Sequence, residues 1–371
     1  MALNHILLAA GGTGGHVFPA IAIGNALQAT GCRVAFQTDK RGARLLAAKA
    51  ADTDRFSIQT VAAASPFAGS LPRRLFAMLK LAIGTMQAGW QMIRHRPQAV
   101  LGFGGYASAP SMLAAYLLRI PAALHEQNGR IGGANQLLAK LCGHLLLTWQ
   151  DSKPIPEAAQ IRLTGLPVDT KFFQIKTLKQ KSATAKLTLH IQGGSLGAGI
   201  FSHVVPDAIA LLPNDLKARL TLSQQVRIED MQSVKERYEA EGVSADLAHF
   251  FDDIPDRLAA ADLIISRSGA ASTTEIAAAG RPAIFIPFKA ALDDHQTANA
   301  DAVVACGGAL ILQEGEADAP KLAATLEQLL SKPERLAKMG KAARTAGQPN
   351  ATELILAALS DLAQSKSWRD A

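Results

Sequence analysis

His16 closes the run Gly11-Gly12-Thr13-Gly14-Gly15-His16. Its imidazole, neutral near pH 7, is suited to taking a proton from a hydroxyl group. The glycines before it allow a tight turn that brings main-chain amides close to a phosphate or sugar. The apolar run Ile6–Ala10 precedes them and the helix-like segment Pro19–Leu27 follows, so the motif reads as strand, loop, helix. A helix there adds unpaired N–H groups and the positive end of its dipole. A second cluster, Gly102-Phe103-Gly104-Gly105-Tyr106, follows Ala99–Leu101, and a third, Gly193-Gly194-Ser195-Leu196-Gly197-Ala198, follows Leu187–Gln192. One such loop is a weak signal. Three, each after a strand-like run, indicate a chain that holds phosphates.

Other polar clusters lie at the ends of apolar runs. His125-Glu126-Gln127-Asn128 offers four hydrogen-bonding side chains after Pro121–Leu124, a density that suits a sugar. Ser266-Arg267-Ser268-Gly269-Ala270-Ala271-Ser272-Thr273-Thr274-Glu275 follows Leu263–Ile265. Ser272 and Glu275 have capping-box spacing, and a capped helix here would aim its N-terminus at a diphosphate. Glu275 could accept two hydrogen bonds from ribose hydroxyls. Asp293-Asp294-His295-Gln296 is incomplete as a metal site but suits a sugar-binding loop. The D-x-D at Asp52-Thr53-Asp54 is not at a strand end and reads as a solvated loop. Gly102 to Ala107 formally fits a dinucleotide fingerprint, yet nothing else supports a nicotinamide cofactor, and no P-loop is present. No cofactor and no metal are expected.

The elements that must position these groups alternate strand and helix, which predicts an α/β chain with parallel sheets covered on both faces. Strands are expected at Ile6–Ala10, Arg33–Gln37, Ala99–Gly102, Ala122–His125 and Leu145–Thr148, then at Leu187–Gln192, Leu220–Leu222, Leu263–Ser266, Ala283–Pro287 and Ala309–Leu312. Prolines cluster between the two series. The reading is therefore two doubly wound halves, residues 1–163 and 164–345, with a last helical segment, 346–371, that could pack back on either half, the first being the candidate. Ligands of such sheets bind beyond the carboxyl ends of the strands, where the glycine loops fall. The 371 residues are 49% apolar and 19% charged, enough for two cores. Cys32, Cys142 and Cys306 are widely spaced, which argues against a disulfide framework and for a reducing, cytoplasmic compartment. No signal peptide and no transmembrane helix are expected.

The formal net charge of +7 suits an anionic partner. Nucleic acid is the weaker choice, since no recognition motif accompanies the charge. The stretch Pro72–Pro97 is the membrane candidate. Leu71, Leu75, Met78, Leu79, Ala82, Met86 and Trp90 fall near one helical face, and Arg73, Arg74, Lys80, Arg94 and Arg96 flank it. Such a helix is either an ordinary core helix or an interfacial patch that dips into lipid and meets anionic headgroups.

Taken together these stretches resemble the MurG family, peripheral membrane glycosyltransferases of bacterial peptidoglycan synthesis. The motifs that carry the resemblance are Gly11 to Pro19, Gly104-Gly105-Tyr106, His125 to Asn128, Gly193 to Ala198, Arg267 to Ala270 with Glu275 to Gly280, and Asp293 to Gln296 with Asn299-Ala300. They span nearly the whole chain. The resemblance implies a GT-B fold, two Rossmann-like domains facing a cleft, and metal-independent inverting transfer of N-acetylglucosamine from UDP-GlcNAc to lipid I, giving lipid II. It places the acceptor and its diphosphate with the first half, near Gly104, Gly105 and Tyr106, and the donor with the second. By matching position, Thr13, Gly14, Gly15, Asn128, Ser195, Phe251, Gly269, Ala270, Ala271, Ser272, Thr273, Thr274 and Gln296 take donor-site roles, Phe251 through its backbone, and Glu275 takes the ribose contact. His16 is the first candidate for the base, with Glu126 and His125 behind it. The implied setting is the anionic cytoplasmic face of the inner membrane, with cell-wall synthesis proteins as further partners. One stretch departs: family members commonly read T-G-N-P-V-R where this chain has Thr164-Gly165-Leu166-Pro167-Val168-Asp169. An aspartate cannot serve a phosphate as an arginine does; Lys171 is the nearest substitute. The alternatives are another GT-B enzyme, with a soluble acceptor or UDP-sugar 2-epimerase activity, and a nucleotide-sugar-binding regulator without catalysis.

Overall fold

The computed structural model describes residues 3–49, 56–65, 70–157, 159–194 and 198–364. Ser195, the D-x-D at Asp52–Asp54 and the tail from Ser365 lie outside them. The chain divides into two compact units, residues 1–167 with 350–371, and residues 168–349.

The first unit runs β1 (His5–Ala9), α1 (Gly14–Ala29), β2 (Arg33–Thr38), α2 (Lys40–Lys49), β3 (Ser57–Thr60), α3 (Leu71–His95), β4 (Ala99–Gly102), α4 (Gly105–Leu117), β5 (Ala122–Glu126), α5 (Gly133–Cys142), β6 (His144–Leu147) and β7 (Gln160–Leu163). Its seven strands lie in the order β3-β2-β1-β4-β5-β6-β7, all parallel. The central strands β1, β4 and β5 are buried along their whole length, as near-continuous apolar runs require in a sheet covered on both faces.

The second unit runs α6 (Thr170–Gln174), β8 (Leu187–Gln192), α7 (Gly199–Ala210), α8 (Asn214–Lys217), β9 (Leu220–Gln225), α9 (Met231–Ala240), β10 (Ser244–Ala248), α10 (Ile254–Ala260), β11 (Leu263–Ser266), α11 (Ala270–Ala279), β12 (Ala283–Phe285), α12 (His295–Ala305), β13 (Ala309–Ile311), α13 (Ala319–Leu330) and α14 (Pro333–Ala346). Its six parallel strands are ordered β10-β9-β8-β11-β12-β13. The chain then returns to the first unit in α15 (Ala351–Gln364), whose Ile355, Leu359 and Leu362 join the core of α1 and β4.

The first division falls a few residues later than the prolines suggest. Residues 164–167 stay with the first sheet because Thr164 and Gly165 donate their N–H groups to the Leu147 carbonyl. Leu166 is buried, so the residue standing at the family's asparagine position is a core residue here. The unexpected strands β3, β7 and β10 are all edge strands with few buried residues, and so leave no apolar run to read.

In α3 the arrangement of sizes inverts the usual one. The helix buries Ala77, Gly84, Ala88 and Met92 and leaves Leu71, Leu75, Phe76, Met78, Leu79, Met86, Trp90 and Ile93 exposed. The small seam lets the helix approach closely: a Cβ at Gly84 would lie 1.9 Å from the Ala62 carbonyl oxygen. Gln37 and Gln59, on β2 and β3, fasten the same side, with Gln37 donating to Gln91 at 2.8 Å.

Candidate active site

In the first unit the glycine loops converge. Gly14 and Gly15 are the first two residues of α1, so their N–H groups have no intrahelical acceptor. Asp39 holds the loop from below, accepting from the N–H of Gly12 (3.2 Å) and of Gly42 (2.8 Å). His16 is partly buried, and its Nδ1 lies 3.0 Å from Thr13 Oγ1. Of the two tautomers only one serves a base. With Nδ1–H donating to Thr13, the proton-accepting lone pair falls on Nε2. The second loop lies against this ring. Gly104 and Gly105 have φ of +81° and +70°, and a Cβ on Gly105 would come within 3.4 Å of the imidazole. Glycine is needed at both positions for the positive φ, while the contact of a Gly105 Cβ with the ring would be an ordinary one.

The cluster His125-Glu126-Gln127-Asn128 has a different part. His125 is fully buried and its Nε2–H donates to the Gly165 carbonyl at 2.9 Å, while Nδ1 accepts from Gln127. Burial pushes its pKa down to about 4. Both nitrogens of this neutral ring are held inside the sheet, which weighs against it as the proton-transfer candidate. Glu126 is 2% exposed and accepts from the N–H groups of Asn128 (3.0 Å) and Gly132 (2.9 Å) and from the side chains of Asn135 (2.9 Å) and Asn128 (3.2 Å). Burial raises its pKa and these donors oppose the rise. The carboxyl group thus folds the loop 127–132 around itself, and Asn128 is presented from it.

In the second unit, β11 ends at Ser266 and the chain turns at Gly269 into α11. The capping box is corrected: the N-cap is Gly269, and Ser272 lies inside the helix, so its hydroxyl is not a cap. Helical periodicity then sorts the run. Ala270, Ala271, Ser272 and Glu275 stay partly exposed, while Thr273 and Thr274 turn into the core, Thr274 donating to the Ala270 carbonyl at 2.8 Å. The first helical N–H groups remain for a ligand. Arg267 is buried against the Ile286 and Pro287 carbonyls and pairs with Glu314, so it braces the loop rather than reaching outward. Burial first, and the Asp169 carboxylate second, push Glu275 up to about 7. Asp169 caps α6 by accepting from the Lys171 N–H at 2.9 Å. Gln296 fixes the loop before α12 by accepting from the Phe288 N–H at 3.0 Å.

A connector that spacing does not reveal is Gln225, at the end of β9. It accepts from the Gly193 N–H (3.0 Å) and donates to the carbonyls of Gly194 (3.1 Å) and His249 (3.1 Å), tying the third glycine loop to the segment that carries Phe251. Among the described residues, no three His, Cys, Asp or Glu side chains are grouped to hold a metal ion.

The glycosyltransferase family 28 N-terminal domain matches residues 6–146 and the C-terminal domain of the same family matches residues 188–355. The chain is 42% identical over 355 residues, 94% of each chain, to the UDP-N-acetylglucosamine–N-acetylmuramyl-(pentapeptide) pyrophosphoryl-undecaprenol N-acetylglucosamine transferase of Paramagnetospirillum magneticum. The chain belongs to the MurG family of glycosyltransferases. The protein of the same name from Methylorubrum extorquens is 41% identical, covering 96% of this chain and 97% of its own. Among solved structures, MurG of Acinetobacter baumannii superposes with a TM-score of 0.81 at 30% identity, covering 96% and 99% of the two chains. A UDP-GlcNAc 2-epimerase from Neisseria meningitidis shares the fold at 14% identity, with a TM-score of 0.65 and coverage of 96% and 100%. The fold is GT-B, two parallel-sheet α/β units.

Proposed function

We infer that this chain is the hexosyltransferase that moves N-acetylglucosamine from UDP-GlcNAc to the C4 hydroxyl of the N-acetylmuramoyl unit of lipid I, giving lipid II for peptidoglycan synthesis. Family membership over nearly the full chain carries the reaction. The residue roles rest on geometry. His16 takes the proton of the attacking hydroxyl through Nε2 while Thr13 holds Nδ1. The hydroxyl oxygen attacks the anomeric carbon from the face opposite the leaving group, so the configuration inverts. The bond to the UDP oxygen breaks, and negative charge gathers on the diphosphate. The helix N-terminal amides at Ala270 and Ala271, in the unit that takes the donor, are the groups suited to that charge. Glu275, once ionised, accepts the ribose hydroxyls. Thr273 and Thr274 act through the helix, their side chains being buried. Glu126 and His125 position the loop that carries Asn128.

The membrane role belongs to α3. Lys80 lies over the Phe76 ring at 4.8 Å and Arg94 over Trp90 at 5.4 Å, so cations sit against the exposed apolar face. That pairing of apolar surface with basic residues fits the anionic cytoplasmic surface of the inner membrane, where the acceptor's lipid would be anchored. No helix of the described residues is long and apolar enough to cross a membrane. The test is UDP release from UDP-GlcNAc with and without lipid I. Release that depends on lipid I supports transfer; conversion of UDP-GlcNAc to its 2-epimer, or tight UDP binding without turnover, would replace it with one of the alternatives.

A further inference from the structure

The segment after β10 carries Phe251 in an unusual way. Its side chain is buried, at 5% exposed, yet no hydrogen bond to its main-chain N–H or C=O is formed among the described residues. The ring is held instead. The Arg257 guanidinium stacks on it at 3.6 Å from the centroid, and His190 packs at 5.9 Å. Arg257 is itself pinned from three sides, donating to Asp253 at 2.7 Å, to Asp246 at 2.6 Å and to Ser223 Oγ at 2.7 Å.

The last contact fixes a chain of donors. Ser223 Oγ accepts from Arg257, and its O–H donates to His190 Nδ1, 3.1 Å away, because Gln192 Oε1 can only accept and so fixes the proton of the neutral ring on Nε2. His190 then carries its proton on Nε2 and donates to Gln192 Oε1 at 3.2 Å. Burial keeps this ring neutral, with its pKa pushed down to about 4. Gln192 is the last residue of β8, directly before the Gly193–Gly194 loop. One rigid train therefore runs from the glycine loop through His190 and Ser223 to Arg257 and the Phe251 ring.

We propose that Arg257 is a specificity-determining positioning residue. By clamping the Phe251 ring it presents the main-chain N–H and C=O of residue 251 as a fixed donor and acceptor pair to the base of the nucleotide donor. The inference rests on the donor reading above and goes beyond it by naming the group that sets the base reader. Uracil offers N3–H as donor and O4 as acceptor. Cytosine reverses both, so a main-chain pair in fixed register accepts the first and rejects the second. A flat, delocalised guanidinium can both stack and form three side-chain hydrogen bonds; an ammonium can do only part of this.

The test is calorimetric binding of UDP and of CDP to the full chain and to Arg257→Ala and Arg257→Lys, with thermal melts of each. The expected result is a preference for UDP in the starting protein. In Arg257→Ala that preference falls roughly tenfold, the worth of about one hydrogen bond, mainly by weaker UDP binding. Arg257→Lys keeps a charge beside Asp246 and Asp253 and so guards against a folding failure; it should fall between the two. Equal weakening of UDP and CDP, or an unchanged ratio, would reduce Arg257 to a structural brace and overturn the inference. A starting protein that binds UDP no better than CDP would instead overturn the donor reading on which it stands.

Discussion

Replacing Arg73, Arg74 and Lys80 with glutamate should release the protein from anionic vesicles, and the size of the effect follows from α3. Burying a large apolar side chain completely is worth about 1.5–3 kcal/mol. Leu75 and Leu79 are each 56% exposed and Trp90 is 61% exposed. Each therefore has roughly 1–2 kcal/mol left to gain in the interface, or ~3–5 kcal/mol for the three. A basic residue near an anionic surface adds about 1 kcal/mol. Three reversals of sign remove the attraction and substitute a similar repulsion, a change of at most ~6 kcal/mol, and screening at about 0.1 M salt reduces it toward ~3 kcal/mol. Partition should then fall by roughly 10² to 10⁴. The assay is co-sedimentation with phosphatidylserine-containing vesicles at low and high salt. High salt should bring wild type and the charge variant together, because only the screened part differs. A second variant, Leu75→Gln with Leu79→Gln and Trp90→Gln, should lose binding at every salt concentration. Melting temperatures of both should stay near wild type, since all of these side chains are exposed. Turnover on a water-soluble acceptor analogue should also be preserved. If both variants sediment as wild type does under all conditions, α3 does not meet lipid and the reasoning fails.

His16→Ala should lower kcat by roughly 10² to 10⁴ while leaving UDP affinity nearly unchanged; a variant within a few-fold of wild type would remove His16 from the base role. Glu275→Ala should mainly raise KM for UDP-GlcNAc, because ribose contacts are made alike in ground and transition states; unchanged UDP binding by calorimetry would remove the contact. Glu275 must be ionised to accept two hydrogen bonds, and its pKa is pushed up to about 7. UDP affinity should therefore weaken as pH falls through about 7. Asp169→Asn removes a neighbouring negative charge, so it should move that weakening to lower pH; an unshifted profile would show that Asp169 does not act on Glu275. Glu126→Ala strands the donors of Asn128, Gly132 and Asn135, and should lower stability by about 2–4 kcal/mol, read by denaturant melts. Activity should survive EDTA, given the lack of ligand spacing in the sequence; complete loss restored by Mg²⁺ or Mn²⁺ would overturn the metal-free mechanism.

Read alone, the sequence located the apolar runs of the buried strands and the glycine loops at their ends, because a strand buried on both faces must be apolar over its own length and a tight loop must follow it. That was enough for two doubly wound sheets and for the glycine loops at the ends of their strands. It could not place the edge strands β3, β7 and β10, whose residues answer to solvent on one side. For α3 the periodicity was visible but its sense was not. Whether Leu75 and Trp90 face the core or the outside depends on how closely Gly84 approaches Ala62, a contact between separate segments. Ser272 and Glu275 had the spacing of a cap, yet the helix starts at Ala270, because the chain leaving β11 has already turned at Gly269. The residue types of His125 and Glu126 suit chemistry, and only the stacked sheet shows that both are buried. The long-range contacts of Asp39, Gln225 and Arg257 carried no local signal, since Gly12, Gly193 and Ser223 lie far along the chain. Local pattern records what a segment requires over a few residues. Which side chains meet across the sheet is decided only when its strands are stacked in order, and there the polar groups left unsatisfied by one segment are satisfied by another.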